Sequence, residues 1–262
     1  ANLHSERFGA VVQTDNQSTL ATYRLGAALE LLPDLTLSAS ASSGARTPSM
    51  LELFGDGALL RGNTALRPEH SRSFDLGLSD VSCVGDFSGS FELRVFDLAI
   101  EDQVLFVRNS FSQLLPLNLA SSHVRGLEAG ARAQLGAWFL NAAATLLDTE
   151  GKPGKRLPNR PRATFFVQPG FEAKQLGPLE RLRVFAEVSY IASSFDDPDN
   201  QTAPKPPALF LDAGAAIWVW RERFALRLTV TDVFDHGGRD LRHFPLPGRT
   251  AMVSLTYHEE PR

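Results

Sequence analysis

Apolar and polar residues alternate along most of this chain. From Tyr23 onward, Tyr23, Leu25, Ala27, Leu29 and Leu31 are separated by Arg24, Gly26, Ala28 and Glu30, which predicts a strand with one greasy face and one small or polar face. Leu35, Leu37 and Ala39 repeat the pattern, as do Phe74, Leu76 and Leu78. Phe91, Leu93 and Val95 enclose Glu92 and Arg94, and Leu127, Ala129, Ala131 and Ala133 enclose Glu128, Gly130 and Arg132. Further runs lie at Trp138–Ala144, Phe165–Val167, Val184–Tyr190, Leu209–Ile217, Phe224–Val230 and Val253–Tyr257. With a fainter strand near Phe8 to Val12, the pattern predicts about twelve strands. No segment has a comparable helical period.

The connections carry a second signal. Pro33-Asp34 is tight and 45–70 long, 82–86 short and 101–122 long, Gly136 tight and 148–161 long. The order continues with 174–180 short, 193–207 long, 220–223 short and 234–247 long. A meander with short turns on one rim and long loops on the other is the signature of an up-and-down outer-membrane barrel, whereas a Greek-key sandwich has no reason to keep that order. The charges Arg24, Glu30, Asp75, Glu92, Arg94, Glu128, Arg132, Arg183, Glu187 and Arg227 all fall on the polar face. A wet lumen solvates such groups, while a dry core would require a partner for each. The expected fold is therefore all-β, an antiparallel up-and-down transmembrane β-barrel. The alternative is a soluble or surface-attached β-sheet module that binds ligands without transport.

Composition narrows the functional classes. The chain has 262 residues, 26 basic against 30 acidic, and a formal net charge of −4, which offers no footprint for nucleic acid. No apolar run reaches the length of a membrane helix, and the single Cys83 rules out an internal disulfide. Ala1 to Gln13 has no basic start, apolar stretch or cleavage site, which is the expectation for a mature fragment. No GxSxG, HExxH or phosphate loop occurs, so neither an enzyme nor a cofactor is expected.

One segment is richer in motifs than the rest. Between Ser43 and Leu76 stand Ala45-Arg46-Thr47-Pro48-Ser49, Glu52-Leu53-Phe54-Gly55, Gly62-Asn63 and Leu66-Arg67-Pro68-Glu69, followed by Ser71 and Asp75. Later come Val124-Arg125-Gly126-Leu127-Glu128, Thr231-Asp232-Val233-Phe234-Asp235 and Phe244-Pro245-Leu246-Pro247-Gly248-Arg249. Taken in this order, these stretches resemble the barrel motifs of TonB-dependent outer-membrane receptors. Asp75 stands where that family often has Glu.

The resemblance implies that residues 1–262 are receptor barrel without a plug domain, the C-terminal half of a barrel of about 22 strands. It implies an outer-membrane location in a Gram-negative bacterium and energy-coupled import of a scarce ligand such as a ferric siderophore, cobalamin or a glycan. The expected partners are outer-membrane lipid, the small-molecule or metal-chelate ligand, and TonB with its inner-membrane partners through a plug this chain does not supply.

Two groups of candidate residues follow. Arg46, Pro48, Glu52, Phe54, Gly62, Asn63, Pro68 and Glu69 lie on a long loop suited to ligand capture or gating, the plainer alternative being a brace for the outer rim. Pro48 and Pro68 stiffen it, Gly62-Asn63 marks a turn, and Glu69 is expected to answer Arg46, Arg67 or Arg72. Arg94, Glu128, Arg132 and Arg227 are lumen charges suited to facing a plug, with Glu128 paired to Arg132 as the simpler reading.

Two further loops are read as plain solvated tips. His236, Asp240 and His243 have no rigid frame for a metal, and Phe195–Asn200 lacks the ligand spacing of a calcium loop. Trp218, Trp220, Tyr190, Phe171 and Tyr257 are expected in interfacial aromatic girdles.

Overall fold

A computed structural model describes residues 2–7, 10–15, 19–108, 113–118, 121–241 and 244–257. Alternation becomes geometry in one antiparallel sheet of eleven strands. In chain order the strands are β1 (Asn2–Arg7), β2 (Ala10–Asp15), β3 (Tyr23–Leu32), β4 (Leu35–Arg46), β5 (Glu69–Val84), β6 (Phe87–Glu101), β7 (Val104–Arg108) and β8 (Leu114–Asn118). They continue as β9 (Ser122–Leu135), β10 (Trp138–Glu150), β11 (Ala163–Leu176), β12 (Leu179–Ile191), β13 (Ala208–Val219), β14 (Phe224–Thr231), β15 (Arg239–Leu241), β16 (Phe244–Pro245) and β17 (Thr250–Tyr257). One short helix, α1 (Met50–Phe54), lies in the loop after β4.

The large sheet runs β17-β14-β13-β12-β11-β10-β9-β6-β5-β4-β3, so each strand pairs with the next one in the meander. The pairs β1-β2, β7-β8 and β15-β16 form separate two-stranded ladders. The sheet is a partial barrel: β3 and β17 are its edges and do not meet. Eleven strands in the sheet replace the expected twelve, because Ala10–Asp15 pairs with β1 instead of joining it. Phe8 and Gly9 of the faint strand lie outside the described residues. A single continuous meander also excludes the two-sheet sandwich.

Register keeps the two faces separate across the whole sheet. Ala27 pairs with Ala39, Ala39 with Leu76, Leu76 with Val95 and Val95 with Leu127. On the other side, Ala142 pairs with Val167, Val167 with Val188 and Val188 with Leu211. A slip of one residue anywhere would mix the faces, so the apolar period itself pins the pairing. The apolar face is strongly exposed, with Leu25 and Leu255 both at 69%. On β13 the opposite face is the enclosed one, with Gly214, Ala216 and Trp218 buried. An outward apolar surface of this extent is what a hydrocarbon solvent selects and water does not.

Aromatic rings mark the limits of that surface. Toward the short turns, Trp138 packs against Phe171 at 5.1 Å and Phe224 against Tyr257 at 5.2 Å. Toward the long loops, Phe165 stacks on Tyr190 at 6.0 Å. Trp220 joins the first group by stacking on Phe224 at 5.6 Å. Trp218 does not belong to the girdle. Being one residue out of phase with Ile217 and Val219, it faces inward.

The five short turns, 33–34, 85–86, 136–137, 177–178 and 220–223, share one rim, and all the long connections share the other. Asp34 at φ 71 and Gly136 at φ 57 supply the left-handed residue that a two-residue hairpin requires. Cys83 is the chain's single cysteine, exposed, on the inner face and two residues from the Gly85 turn. If short turns face the periplasm, a membrane-impermeant maleimide will label Cys83 only after the outer membrane is permeabilised. Labelling of intact cells would invert the topology.

Candidate functional site

The best-packed part of the molecule sits above the sheet. Leu53, Leu66 and Val104, with Phe54 against them, form a hydrophobic core contributed by two long loops. It begins where β4 ends: Arg46 and Glu69 are register partners at the mouths of β4 and β5. Arg46 donates from Nε and a terminal nitrogen to the two Glu69 oxygens at 2.8 and 2.6 Å. It also reaches Glu52 at 3.0 Å.

Ser49 and Glu52 make a capping box for α1. The Ser49 amide donates to the Glu52 carboxylate at 2.7 Å, and the Glu52 amide to the Ser49 hydroxyl at 3.3 Å. Burial pushes the Glu52 carboxyl up, but hydrogen bonds from Arg46 and Ser49 outweigh it and hold the group below its usual 4.5. The stabilisation is therefore complete above that value and lost as pH falls through the depressed folded one. Hydrogen exchange at the Leu53 and Asn63 amides, corrected for intrinsic rates, should accelerate as the pH drops below 4.5, and Glu52→Gln should abolish that dependence.

The remaining candidates close the same structure. The Asn63 amide donates to the Glu52 carbonyl at 2.9 Å and its side chain to the Pro116 carbonyl at 3.0 Å. Gly62 lies against the backbone of α1: a Cβ there would stand 2.3 Å from the carbonyl carbon of Phe54. Pro48 and Pro68, both half-buried, flank the loop at its two ends.

The partner loop, between β6 and β9, is locked in from three directions. Glu69 accepts the Val104 amide at 2.6 Å, Arg67 and Asn118 exchange two hydrogen bonds at 2.8 and 3.0 Å, and the Arg61 amide donates to the Leu114 carbonyl at 2.8 Å. All eight loop candidates thus come together in one lobe. Asn118, Val104 and Pro116 are as central to it as the motif residues, but no motif marks them.

A second pair of loops interlocks between β10 and β11 and between β12 and β13. Lys152 bridges to Asp199 at 2.6 Å, Arg156 and Asn200 exchange two hydrogen bonds at 2.7 and 3.0 Å, and the Asn159 amide donates to the Phe195 carbonyl at 2.7 Å. Asp197 accepts from Thr202, Gln201 and Asp199, which holds its carboxyl well below the usual range. The acidic tip is thereby a turn satisfied from within. In the loop before β17, buried Asp232 accepts the amides of His236 and Gly237. The Asp240 side chain and His243 lie outside the described residues. Among the described residues no group of three or more His, Cys, Asp or Glu is arranged to hold a metal.

Arg94, Glu128, Arg132 and Arg227 share the inner face. Glu128 does not pair with Arg132. Register sets Arg94 directly opposite Glu128, and one guanidinium nitrogen of Arg94 stands 3.6 Å from it while the Arg94 Nε donates to Asp75 at 3.0 Å. Arg132 sits opposite Ser90 and Asn141, and among the described residues it makes no ion pair.

Residues 3–233 match the family model described as TonB dependent receptor-like, beta-barrel. The chain belongs to the TonB-dependent receptor β-barrel family. This receptor barrel is 24% identical over 252 residues to the vitamin B12 transporter BtuB of Photobacterium profundum, covering 95% of this chain and 40% of that protein. Among solved structures, the copper transporter OprC superposes with a TM-score of 0.72 at 17% identity, covering 89% of this chain and 39% of that one. The ferric-catecholate import receptor Fiu of E. coli K12 gives 0.70 at 19% identity, with 96% and 37% covered. The receptor barrel therefore spans about two fifths of the length of these relatives. As a family member it is an outer-membrane protein of a Gram-negative bacterium.

Proposed function

We propose that residues 1–262 are a barrel segment, without a plug domain, of an outer-membrane transporter that imports a scarce ligand by energy coupling through TonB. The observation that carries this reading is a family-matched half-barrel whose outward face is apolar and whose inner face is charged, with its long loops packed into ordered lobes. Outer-membrane lipid covers the outward face. A plug supplied outside these strands meets Arg94, Glu128, Arg132 and Arg227 and passes force from TonB and its inner-membrane partners. The lobe around Arg46, Glu52 and Glu69 holds the long-loop rim in shape for capture, and its motif residues act as positioning groups because their polar atoms are spent on one another.

Named relatives point to cobalamin, ferric catecholate and copper as the cargo classes to try first. The test is uptake of radiolabelled cyanocobalamin, ferric enterobactin and copper by cells expressing the complete receptor, with and without TonB. Accumulation of one probe that disappears without TonB is expected. Equal accumulation in both strains would sink the energy-coupled reading.

A further inference from the structure

The inner face of β10 to β14 carries a tiled surface that neither the fold nor the rim explains. In one register row, Phe139, Gly170, Phe185 and Gly214 follow one another across four strands. The Phe139 ring lies on Gly170 and the Phe185 ring on Gly214, where added Cβ atoms would come within 2.1 and 2.4 Å of them. The next row toward the short turns is Glu172, Arg183, Ala216, Arg227 and Ser254. Ala216, only 5% exposed, is thus the floor between two arginines whose backbones are about 10 Å apart, two strand spacings. Trp218, one row further on, carries the Arg181 guanidinium over its ring at 3.9 Å, and Arg183 lies over Phe139 at 4.4 Å.

Glu172, Arg181, Arg183, Ala216, Trp218 and Arg227 line a partly open cavity of about 290 Å³. Its lining holds three guanidinium groups and one carboxylate, Glu172. That carboxylate is shared between Arg181 at 3.8 Å and Arg183 at 3.6 Å, and Arg181 is also paired with Glu222 of the neighbouring turn at 3.1 Å, outside the lining. Arg227 makes no ion pair among the described residues. The cation–π contacts hold Arg181 and Arg183 in place before any ligand arrives, which lowers the entropy lost on binding. Forked donors on either side of a small apolar floor suit a planar or tetrahedral oxyanion.

We propose that the notch over Ala216, walled by Arg181, Arg183 and Arg227, is a binding site for a carboxylate or phosphate group inside the barrel. The group belongs either to a small anion passing through the lumen or to an acidic side chain of polypeptide packed there. The site rests on the inner face alone, so its failure leaves the import reading standing, because uptake is measured separately.

The probe is Trp218 fluorescence in the full chain carrying Trp138→Phe and Trp220→Phe, folded in detergent and checked by heat-modifiable mobility. Inorganic phosphate, benzoate and a tetraglutamate peptide are titrated at constant ionic strength set with chloride. A saturable emission change is expected, with Arg227→Gln weakening binding at least tenfold, Arg227→Lys weakening it less, and Arg24→Gln leaving it unchanged. Saturation by benzoate or phosphate assigns the site to small anions, and saturation by the peptide alone assigns it to a polypeptide carboxylate. A linear response to all three probes, or equal weakening by Arg24→Gln, would overturn the proposal.

Discussion

Arginine in place of Ala142 destabilises the barrel by about 2–4 kcal/mol, and arginine in place of its neighbour Ala143 costs about 0.5 kcal/mol or less. The two positions share residue type, strand and substitution, and differ only in face. Ala142 pairs with Ala131 and Val167 on the outward face, between the Phe165 and Phe171 levels that bound the apolar band. Ala143 is exposed on the inner face opposite Gly130, where even an added Cβ meets nothing within 4 Å. A guanidinium at the first site sits near the bilayer midplane, and at the second it joins a wet lumen that already holds Arg132. Urea titration in lipid vesicles, followed by tryptophan emission, reads both variants. Equal costs would mean that the outward face is not in hydrocarbon.

Gly62→Ala should open the rim lobe while leaving the sheet folded. The new methyl would stand 2.3 Å from the Phe54 carbonyl carbon and 2.4 Å from the Leu53 carbonyl oxygen. Both are backbone atoms, so no rotamer change relieves the contact and α1 must move off Leu66 and Val104. The expected loss is on the order of 3 kcal/mol, borne locally. Trypsin cleavage after Arg61 should then rise roughly a hundredfold if opening is fast relative to cutting, whereas Arg67, followed by Pro68, offers trypsin no bond. Thr64→Ala, at an exposed position in the same loop, is the control expected to leave cleavage unchanged. Unaltered cleavage in Gly62→Ala would show that the lobe is not a cooperative unit in solution.

The eight loop candidates illustrate how far a motif reaches. Arg46, Glu52 and Glu69 stand out because charged residues beside prolines in a long loop invite a role, and the structure joins them through hydrogen bonds of 2.6 to 3.2 Å. Their joint partner, the β7–β8 ladder, has no sequence mark. Asn118 meets Arg67 across 51 positions, and Asn63 meets Pro116 across 53, spacings with no local period to betray them. Trp218 departs from its expected place for a different reason. An aromatic near a strand end reads as girdle until its phase is counted, and Ile217 and Val219 already occupy the outward positions. Glu128 has Arg132 four residues along its own face, but a cross-strand neighbour lies nearer than one about 13 Å down the strand.

The alternation of apolar and polar residues was enough to determine the all-β class, the two faces of each strand and the two rims, because a period of two admits one extended backbone and one partition of its side chains. The tertiary structure alone decided that eleven strands share a sheet with open edges, which charges meet, that two loops condense into a lobe with its own core, and that Ala216 is a floor between arginines. Those features depend on register between distant strands, and register is settled by the summed pairing of whole faces rather than by any residue acting alone.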